Sequence, residues 1–106
     1  MDSVLHEILT DAMDKKASDV SFLPQKNSYL VKFCVAGRFE AYDEFDFERA
    51  SQWIGFLKYR ADMSLAEQRR PQLGSWELEH NGRPVYCRLS TVGDFLNRES
   101  LVVRLI

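Results

Sequence analysis

The sequence predicts an α+β domain of two layers, in which one antiparallel sheet carries both helices on the same face. Three observations favour this class. Two segments have apolar residues at helical spacing on one side only. Six other segments either alternate between apolar and polar residues or are continuously apolar, as strands are. The order of these segments is α-β-β-β-α-β-β-β. The chain has 106 residues, enough for one hydrophobic core, so we treat residues 1–106 as a single domain.

The first half of the chain is predicted to form one helix and three strands. The helix, over residues 3–17, follows from an apolar stripe made of Val4, Leu5, Ile8, Leu9, Ala12 and Met13. Residues 20–23 are predicted to form a short strand. Residues 29–35 alternate between two faces, and a turn at 36–37 with a return strand at 38–42 completes a hairpin.

A second helix is predicted to begin after Asp46, whose carboxylate can cap it, and to carry its apolar stripe as far as Ala61. Residues 64–67 have the Ser-x-x-Glu spacing of a capping box, which predicts one further short helical turn. A proline and a glycine punctuate residues 69–74, and we expect a loop there.

Three strands are predicted to follow this loop. They cover residues 76–79, 83–90 and 100–106, with a turn at 80–82 between the first two. Apolar and polar side chains alternate along the middle strand. This places Val85, Cys87 and Leu89 on one face and Tyr86, Arg88 and Ser90 on the other.

Composition and charge argue against several classes of function. The net charge is −2, so no overall attraction to nucleic acid or anionic lipid is expected. No run of about 18 apolar residues could span a membrane. Cys34 and Cys87 lack the spacing of a metal site or disulfide framework and are interpreted as small reduced side chains. His6 and His80 are expected at the solvated surface, and so is the acidic stretch 40–48, which could alternatively dock a basic partner.

The chain has no motif that would make it an enzyme by itself. The patterns GxxxxGK[ST], GxSxG, HExxH and DxDxDG do not occur, so we predict no phosphate-binding loop, no catalytic residue and no metal ligand. The second half is rich in arginine, and Arg88 falls in mid-strand, opposite the apolar face. A guanidinium in this position suits bidentate contact with phosphate, and ordinary surface ion pairing is the alternative.

Five segments, read in order, match motifs of one known family. They resemble the patterns ASDIHxxP, VRxRxDG, LKxMxxxxxAExRxPQxG, RVST and GEKVVLRLL. The matching residues are Ala17–Val20 with Pro24, Val31–Phe33 with Gly37, selected positions from Leu57 to Gly74, Arg88–Thr91, and Glu99 with Leu101–Ile106. Together they resemble the N-terminal domain of the ATPases of type II secretion and type IV pilus assembly.

The sequence departs from the family pattern at several positions. Ser21 replaces a histidine, Cys34 and Ala36 replace an arginine and an aspartate, and Ser75 replaces the arginine after the Pro-Gln-x-Gly segment. Arg98 stands where the family has a glycine. Short members of the family with a serine at the position of Ser75 resemble the Gram-positive competence ATPases, which assemble a DNA-uptake pseudopilus.

The resemblance implies a regulatory role beside a catalytic domain. In the family, arginines of this domain reach the phosphates of ATP bound at a RecA-like catalytic domain, which has no counterpart within these residues. Arg88 is the matching arginine, while Arg69, Arg70 and Arg104 are further candidates that could instead be structural or interfacial. The resemblance implies ATP and Mg²⁺ as cofactors of the full-length protein and none for this fragment.

The expected partners also follow from the resemblance. They are the catalytic domains of the same and neighbouring subunits in a homohexamer and an inner-membrane platform protein, with no direct contact to nucleic acid. The implied location is cytoplasmic, peripheral at the inner face of the cell membrane.

Two other functions remain open from the sequence. A sheet with helices on one face is also the architecture of PAS-like sensor or interaction modules, which often hold a small ligand. An RNA-binding sheet would need Tyr29 and Phe33 exposed near basic residues such as Lys32.

Overall fold

The computed structural model describes all residues from Met1 to Ile106 and confirms the predicted class and element order. The elements are α1 (Ser3–Asp14), β1 (Asp19–Pro24), β2 (Ser28–Val35), β3 (Arg38–Asp46), α2 (Phe47–Arg60), β4 (Gln72–His80), β5 (Arg83–Gly93) and β6 (Glu99–Leu105). The strands form one 6-stranded sheet in the order β3-β2-β1-β6-β5-β4, and every neighbouring pair is antiparallel.

The two halves of the chain meet in the middle of the sheet, where β1 pairs with β6. Val20 lies opposite Val103, and Asp19 lies opposite Arg104. The backbone N–H of Leu105 adds a bond to the carbonyl of Ser18 at 2.9 Å. Each half supplies one helix and three strands, so this central pair joins them into one domain.

The hydrophobic core lies between the sheet and the two helices. Residues paired directly across strands share a face, and Val20, Phe33, Leu89 and Val103 form one such row, each no more than 1% exposed. The helices add Leu5, Ile8, Leu9, Ala12, Ala50, Trp53, Ile54 and Leu57 to the same core cluster. Each large apolar side chain buried here stabilises the fold by about 1.5–3 kcal/mol. Both helices lie on this face of the sheet, and the opposite face carries no helix.

Helix α1 ends at Asp14, three residues before the predicted end. Lys16 adopts a left-handed conformation with φ 57°, and the N–H of Ala17 donates to the carbonyl of Ala12 at 2.9 Å. These are the marks of a Schellman stop, here without the usual glycine. At the other end Asp2 caps the helix, since its carboxylate accepts from the N–H of Val4 at 2.8 Å.

Strand β3 runs four residues beyond the predicted end at residue 42. Its pairing with β2 is interrupted by a bulge, because Val31 faces Asp43 whereas the next residue, Lys32, faces Ala41. The extra residue is Tyr42, whose ring stacks on Phe33 with centroids 4.6 Å apart. A bulge shifts the alternation by one residue, and this break in the pattern made the strand seem to end early.

The predicted helical turn at residues 64–67 is wrong. The hydroxyl of Ser64 does accept from the N–H of Glu67 at 3.3 Å, as in a capping box. The reciprocal bond is missing because Gln72 occupies the N–H of Ser64, at 2.7 Å, while the Glu67 carboxylate accepts from the N–H groups of Arg69 and Arg70. The segment is therefore a loop closed by side chains.

Strand β4 begins at Gln72, inside the predicted loop 69–74. Gly74 is thus a strand residue, and a Cβ at this position would lie 2.6 Å from the carbonyl oxygen of Ala61. The glycine therefore allows the end of α2 to approach the strand closely and does not mark a turn.

Histidine and cysteine positions agree only in part with expectation. His6 is exposed, but His80 is largely covered, and its Nε2 lies 3.1 Å from a carboxylate oxygen of Asp14. Cys34 and Cys87 are both free and buried, as predicted. The structure contains no helix long and apolar enough to cross a membrane.

Candidate functional site on the uncovered sheet face

Strand β5 places Arg88 on the face of the sheet that carries no helix. Its neighbours Cys87 and Leu89 point into the core and are each 1% exposed, whereas Arg88 is exposed. This confirms the alternation predicted for residues 83–90. Because successive side chains of a strand point to opposite faces, burial of the two neighbours fixes the outward direction of the guanidinium.

A row of polar side chains crosses four strands at the level of Arg88. Ser75 on β4 lies directly opposite Arg88, Arg88 lies opposite Arg104 on β6, and Arg104 lies opposite Asp19 on β1. We call Ser75, Arg88, Arg104 and Asp19 the arginine row. It brings together two of the four arginines predicted as site residues, and the serine that replaces a family arginine is also part of it.

The charges in the arginine row are unevenly compensated. Arg104 Nε lies 3.1 Å from Asp19 Oδ1, and the Asp19 side chain is only 14% exposed. Arg88 makes no side-chain hydrogen bond and no ion pair, although it faces a second guanidinium across the strands. Like charges in this cross-strand arrangement are destabilising, so the row has an unmet demand for negative charge at Arg88.

Arg88 borders a shallow depression of the surface. Ser75, Glu77, Tyr86 and Ile106 line it together with Arg88, and no ion pair joins Glu77 to the guanidinium. The five N–H donors of Arg88 therefore point into accessible space. Such a group can take a phosphate oxygen pair in a bidentate contact.

Arg69 and Arg70 lie elsewhere, on the loop between α2 and β4. The carbonyl of Arg69 accepts from the N–H of Gly93 at 3.3 Å, which fixes this loop at the far end of β5. Gly93 is separated from Arg88 by roughly 16 Å, at the rise of about 3.3 Å per strand residue. The structure thus separates the predicted arginines into two groups, one in the arginine row and one beside Gly93.

A buried ion pair supports this second group, and it was missed from the sequence. Lys58 is 1% exposed, and its Nζ lies 2.9 Å and 2.8 Å from the two carboxylate oxygens of Glu99. The same nitrogen donates to the carbonyl of Glu67 at 3.0 Å. The pair therefore ties α2, β6 and the arginine-bearing loop together. The sequence did contain a signal that Lys58 is buried, because Lys58 follows Ile54 by four residues and so lies on the apolar stripe of α2.

The chain offers little that could perform chemistry on its own. No group of three His, Cys, Asp or Glu side chains is arranged to hold a metal ion, so the family's Mg²⁺ does not fit a site here. Burial raises the pKa of Cys87 to about 11, which keeps the thiol protonated at neutral pH and unreactive.

The polar groups around a separate cleft are hydrogen-bonded to one another. This cleft of ≈ 320 Å³ lies beside α2 and is lined by Tyr29, Lys58 and Glu99, among others. The Tyr29 hydroxyl donates to the carbonyl of Glu99 at 2.7 Å. Tyr29 and Phe33 are 2% and 0% exposed, so neither of the two aromatic side chains named for an RNA-binding sheet is available at the surface.

Comparison with known proteins identifies the family. The sequence model of the family described as "Type II/IV secretion system protein" matches residues 1–106. The chain belongs to this family. Its match covers all five segments on which the resemblance was based, and that resemblance is confirmed.

Individual relatives include both competence and secretion proteins. The chain is 35% identical over 103 residues to competence protein ComGA of Streptococcus pneumoniae, covering 97% of this chain and 33% of the relative. It is 28% identical over 106 residues to ComGA of Bacillus subtilis, covering 100% and 30%. It is 30% identical over 103 residues to type II secretion system protein E of Pectobacterium carotovorum, covering 97% and 20%. The chain therefore spans a third or less of the length of these relatives.

Proposed function

We propose that this domain is the regulatory part of a hexameric ATPase that powers pilus or pseudopilus assembly, as in type II secretion or competence DNA uptake. Family membership supports the secretion assignment, and the two ComGA proteins among the relatives favour competence. The catalytic domain lies outside these residues, and ATP with Mg²⁺ belongs to that domain of the parent protein. This chain contributes contacts and movement.

Arg88 is the residue through which the domain contacts nucleotide. The observation that carries this proposal is an exposed guanidinium without a counter-ion, held on a rigid strand beside a second arginine. Phosphate of ATP held by a catalytic domain would supply the missing negative charge. Arg104 is already paired with Asp19 on the neighbouring strand, so Arg88 is the cation left for this contact. Arg69 and Arg70 lie too far along β5 to join the same contact.

The contact can couple nucleotide state to domain position. While phosphate is present, Arg88 holds the uncovered sheet face against the catalytic domain; when it leaves, that attraction is lost and the domain rotates. The six antiparallel strands form one sheet, which would move as a unit. The partners of this motion are the catalytic domains of the same and the next subunit and a membrane platform protein, which places the domain in the cytoplasm at the inner membrane face.

The test is the ATPase activity of the full-length parent carrying Arg88→Ala. Hydrogen bonds to charged groups contribute about 1.5–3 kcal/mol, so we expect kcat/KM to fall by about tenfold or more. Arg38→Ala is the matched control, because Arg38 is equally exposed but lies at the start of the edge strand β3. A parent protein whose rate and nucleotide affinity are both unchanged by Arg88→Ala would remove this residue from the mechanism.

A further inference from the structure

The turn between β5 and β6 exposes two apolar side chains at its tip. Phe95 is 84% exposed and Leu96 is 56% exposed. We call Phe95 and Leu96 the apolar tip.

The turn that presents the tip is held in one conformation. Asp94 Oδ1 accepts from the N–H groups of Leu96 at 2.8 Å and Arg98 at 3.0 Å. Arg98 closes the turn with an ion pair to Asp94 at 3.0 Å and also donates to the carbonyl of Gln25 at 3.1 Å. Because the conformation is already fixed, little conformational entropy is lost when Phe95 contacts a partner.

Two segments that contact the β5–β6 turn carry further cations. Arg69 donates to Asn97 Oδ1 at 3.1 Å, which places its guanidinium against the turn, and Arg70 follows it on the same loop. Lys26 is exposed in the β1–β2 turn, next to the residue that Arg98 contacts. None of Lys26, Arg69 and Arg70 makes an ion pair, whereas Asp94 is paired with Arg98.

The nearby carboxylates do not cancel this charge. Glu67 accepts from the backbone N–H groups of Arg69 and Arg70, which hold its pKa below the usual range. Glu44 lies beside Lys26, because its carboxylate accepts from the hydroxyl of Ser28 at 3.1 Å. Counting Glu44, Glu67 and Asp94 against Lys26, Arg69, Arg70 and Arg98 leaves a local excess of one positive charge, although the whole chain carries −2.

We propose that the apolar tip and its three unpaired cations form a site that binds the surface of an anionic phospholipid membrane. A convex apolar knob with basic neighbours is the arrangement that peripheral segments use to enter the boundary between headgroups and acyl chains. A protein partner would have to provide a pocket shaped for Phe95, whereas a fluid bilayer adapts to the knob. The site deepens the membrane-side location proposed above but does not depend on Arg88, so either proposal can fail while the other holds.

The test is flotation of the 106-residue chain with vesicles of phosphatidylglycerol and phosphatidylcholine in equal parts, at low salt. We expect binding to these vesicles, little binding to phosphatidylcholine alone, and weaker binding as salt rises. Phe95→Ser with Leu96→Ser should reduce the partition coefficient by at least about tenfold. Arg69→Gln with Arg70→Gln should reduce it roughly fivefold for each charge removed.

Matched control variants distinguish binding through this site from nonspecific effects of surface charge and exposed apolar side chains. Phe39 is 69% exposed at the start of β3, and Phe39→Ser should leave binding unchanged. Arg38→Gln with Arg83→Gln is the corresponding control for charge. Phe95→Trp should fold and bind at least as well as the wild type, because tryptophan favours the membrane interface.

Three results would each overturn the proposal. The first is no binding to the anionic vesicles at low salt. The second is binding that survives the changes at Phe95 and Leu96. The third is equal loss in the Phe39→Ser control. If the Phe95 and Leu96 changes instead abolish self-association of the chain without altering flotation, the tip contacts a second copy and the membrane assignment is wrong.

Discussion

Breaking the buried ion pair of Lys58 should strongly destabilise the domain. In Lys58→Met the carboxylate of Glu99, whose side chain is 8% exposed, loses its cation and both bonds of 2.9 Å and 2.8 Å. An uncompensated buried charge of this kind costs about 3–5 kcal/mol. The carbonyl of Glu67 adds little to this cost, because Gln72 still donates to it at 3.0 Å. The loss is a large part of the ~5–15 kcal/mol that stabilises a domain of ordinary size.

Urea unfolding followed by tryptophan fluorescence measures this loss, since Trp53 is buried at 2% exposure. Removing both charges in Lys58→Met with Glu99→Leu should recover most of the stability, because an apolar pair can replace a buried ion pair at little cost. Lys32→Met, on the half-buried uncovered face, is the control and should change the free energy of unfolding by less than about 0.5 kcal/mol. The reasoning is refuted if Lys58→Met costs less than about 1 kcal/mol, or if the double variant is less stable than the single one.

Two further outcomes follow from the packing. A Cβ at Gly93 would lie 1.7 Å from the carbonyl oxygen of Gln68, so Gly93→Ala should lower the free energy of unfolding in urea by about 1–3 kcal/mol. Gly55→Ala, where a Cβ would have nothing within 4 Å, should instead stabilise α2 by about 0.5–1 kcal/mol. Equal effects of the two substitutions would contradict this reasoning. Burial raises the pKa of Tyr29 from 10.0 to about 12, so its contribution is intact below pH 10 and is lost as pH rises toward 12. Phenolate absorbance compared between the wild type and Tyr29→Phe should show Tyr29 ionising well above pH 10, and a Tyr29 that titrates near pH 10 would refute the assignment.

Elements with an uninterrupted pattern could be predicted from the sequence, and elements with a local exception could not. The stripe of α2 and the alternation of β5 each follow one period throughout, and both predictions are confirmed. The end of α1 was misplaced because Lys16 takes a conformation that normally signals itself by a glycine. The Ser-x-x-Glu spacing predicts a helical turn at residues 64–67, but the turn does not form because Gln72, eight residues after Ser64, occupies the N–H that a capping box needs. A bond to a distant side chain leaves no local pattern to read.

The candidate site shows the same limit. Alternation predicted that Arg88 points away from the core, and the family motif named it, but neither could show which residues stand beside it. That depends on the register of three strand pairs, and a slip of one residue would turn each partner to the other face. The buried pair of Lys58 and Glu99 joins residues 41 positions apart, so it too could be identified only from the folded structure.

The register also gives a physical meaning to the serine at position 75. Because Ser75 lies directly opposite Arg88, an arginine there would place three guanidinium groups side by side across β4, β5 and β6, with Asp19 as the only carboxylate of the row. Like charges on adjacent strands repel, so such a row would depend on bound anion more heavily than this one does. With serine at the edge, Arg104 already neutralised by Asp19, and Arg88 alone uncompensated, the site holds one free cation whose state a single phosphate can decide. In the proposed mechanism the response to nucleotide is therefore concentrated in Arg88, which is why its substitution tests the proposed function more sharply than that of any other arginine.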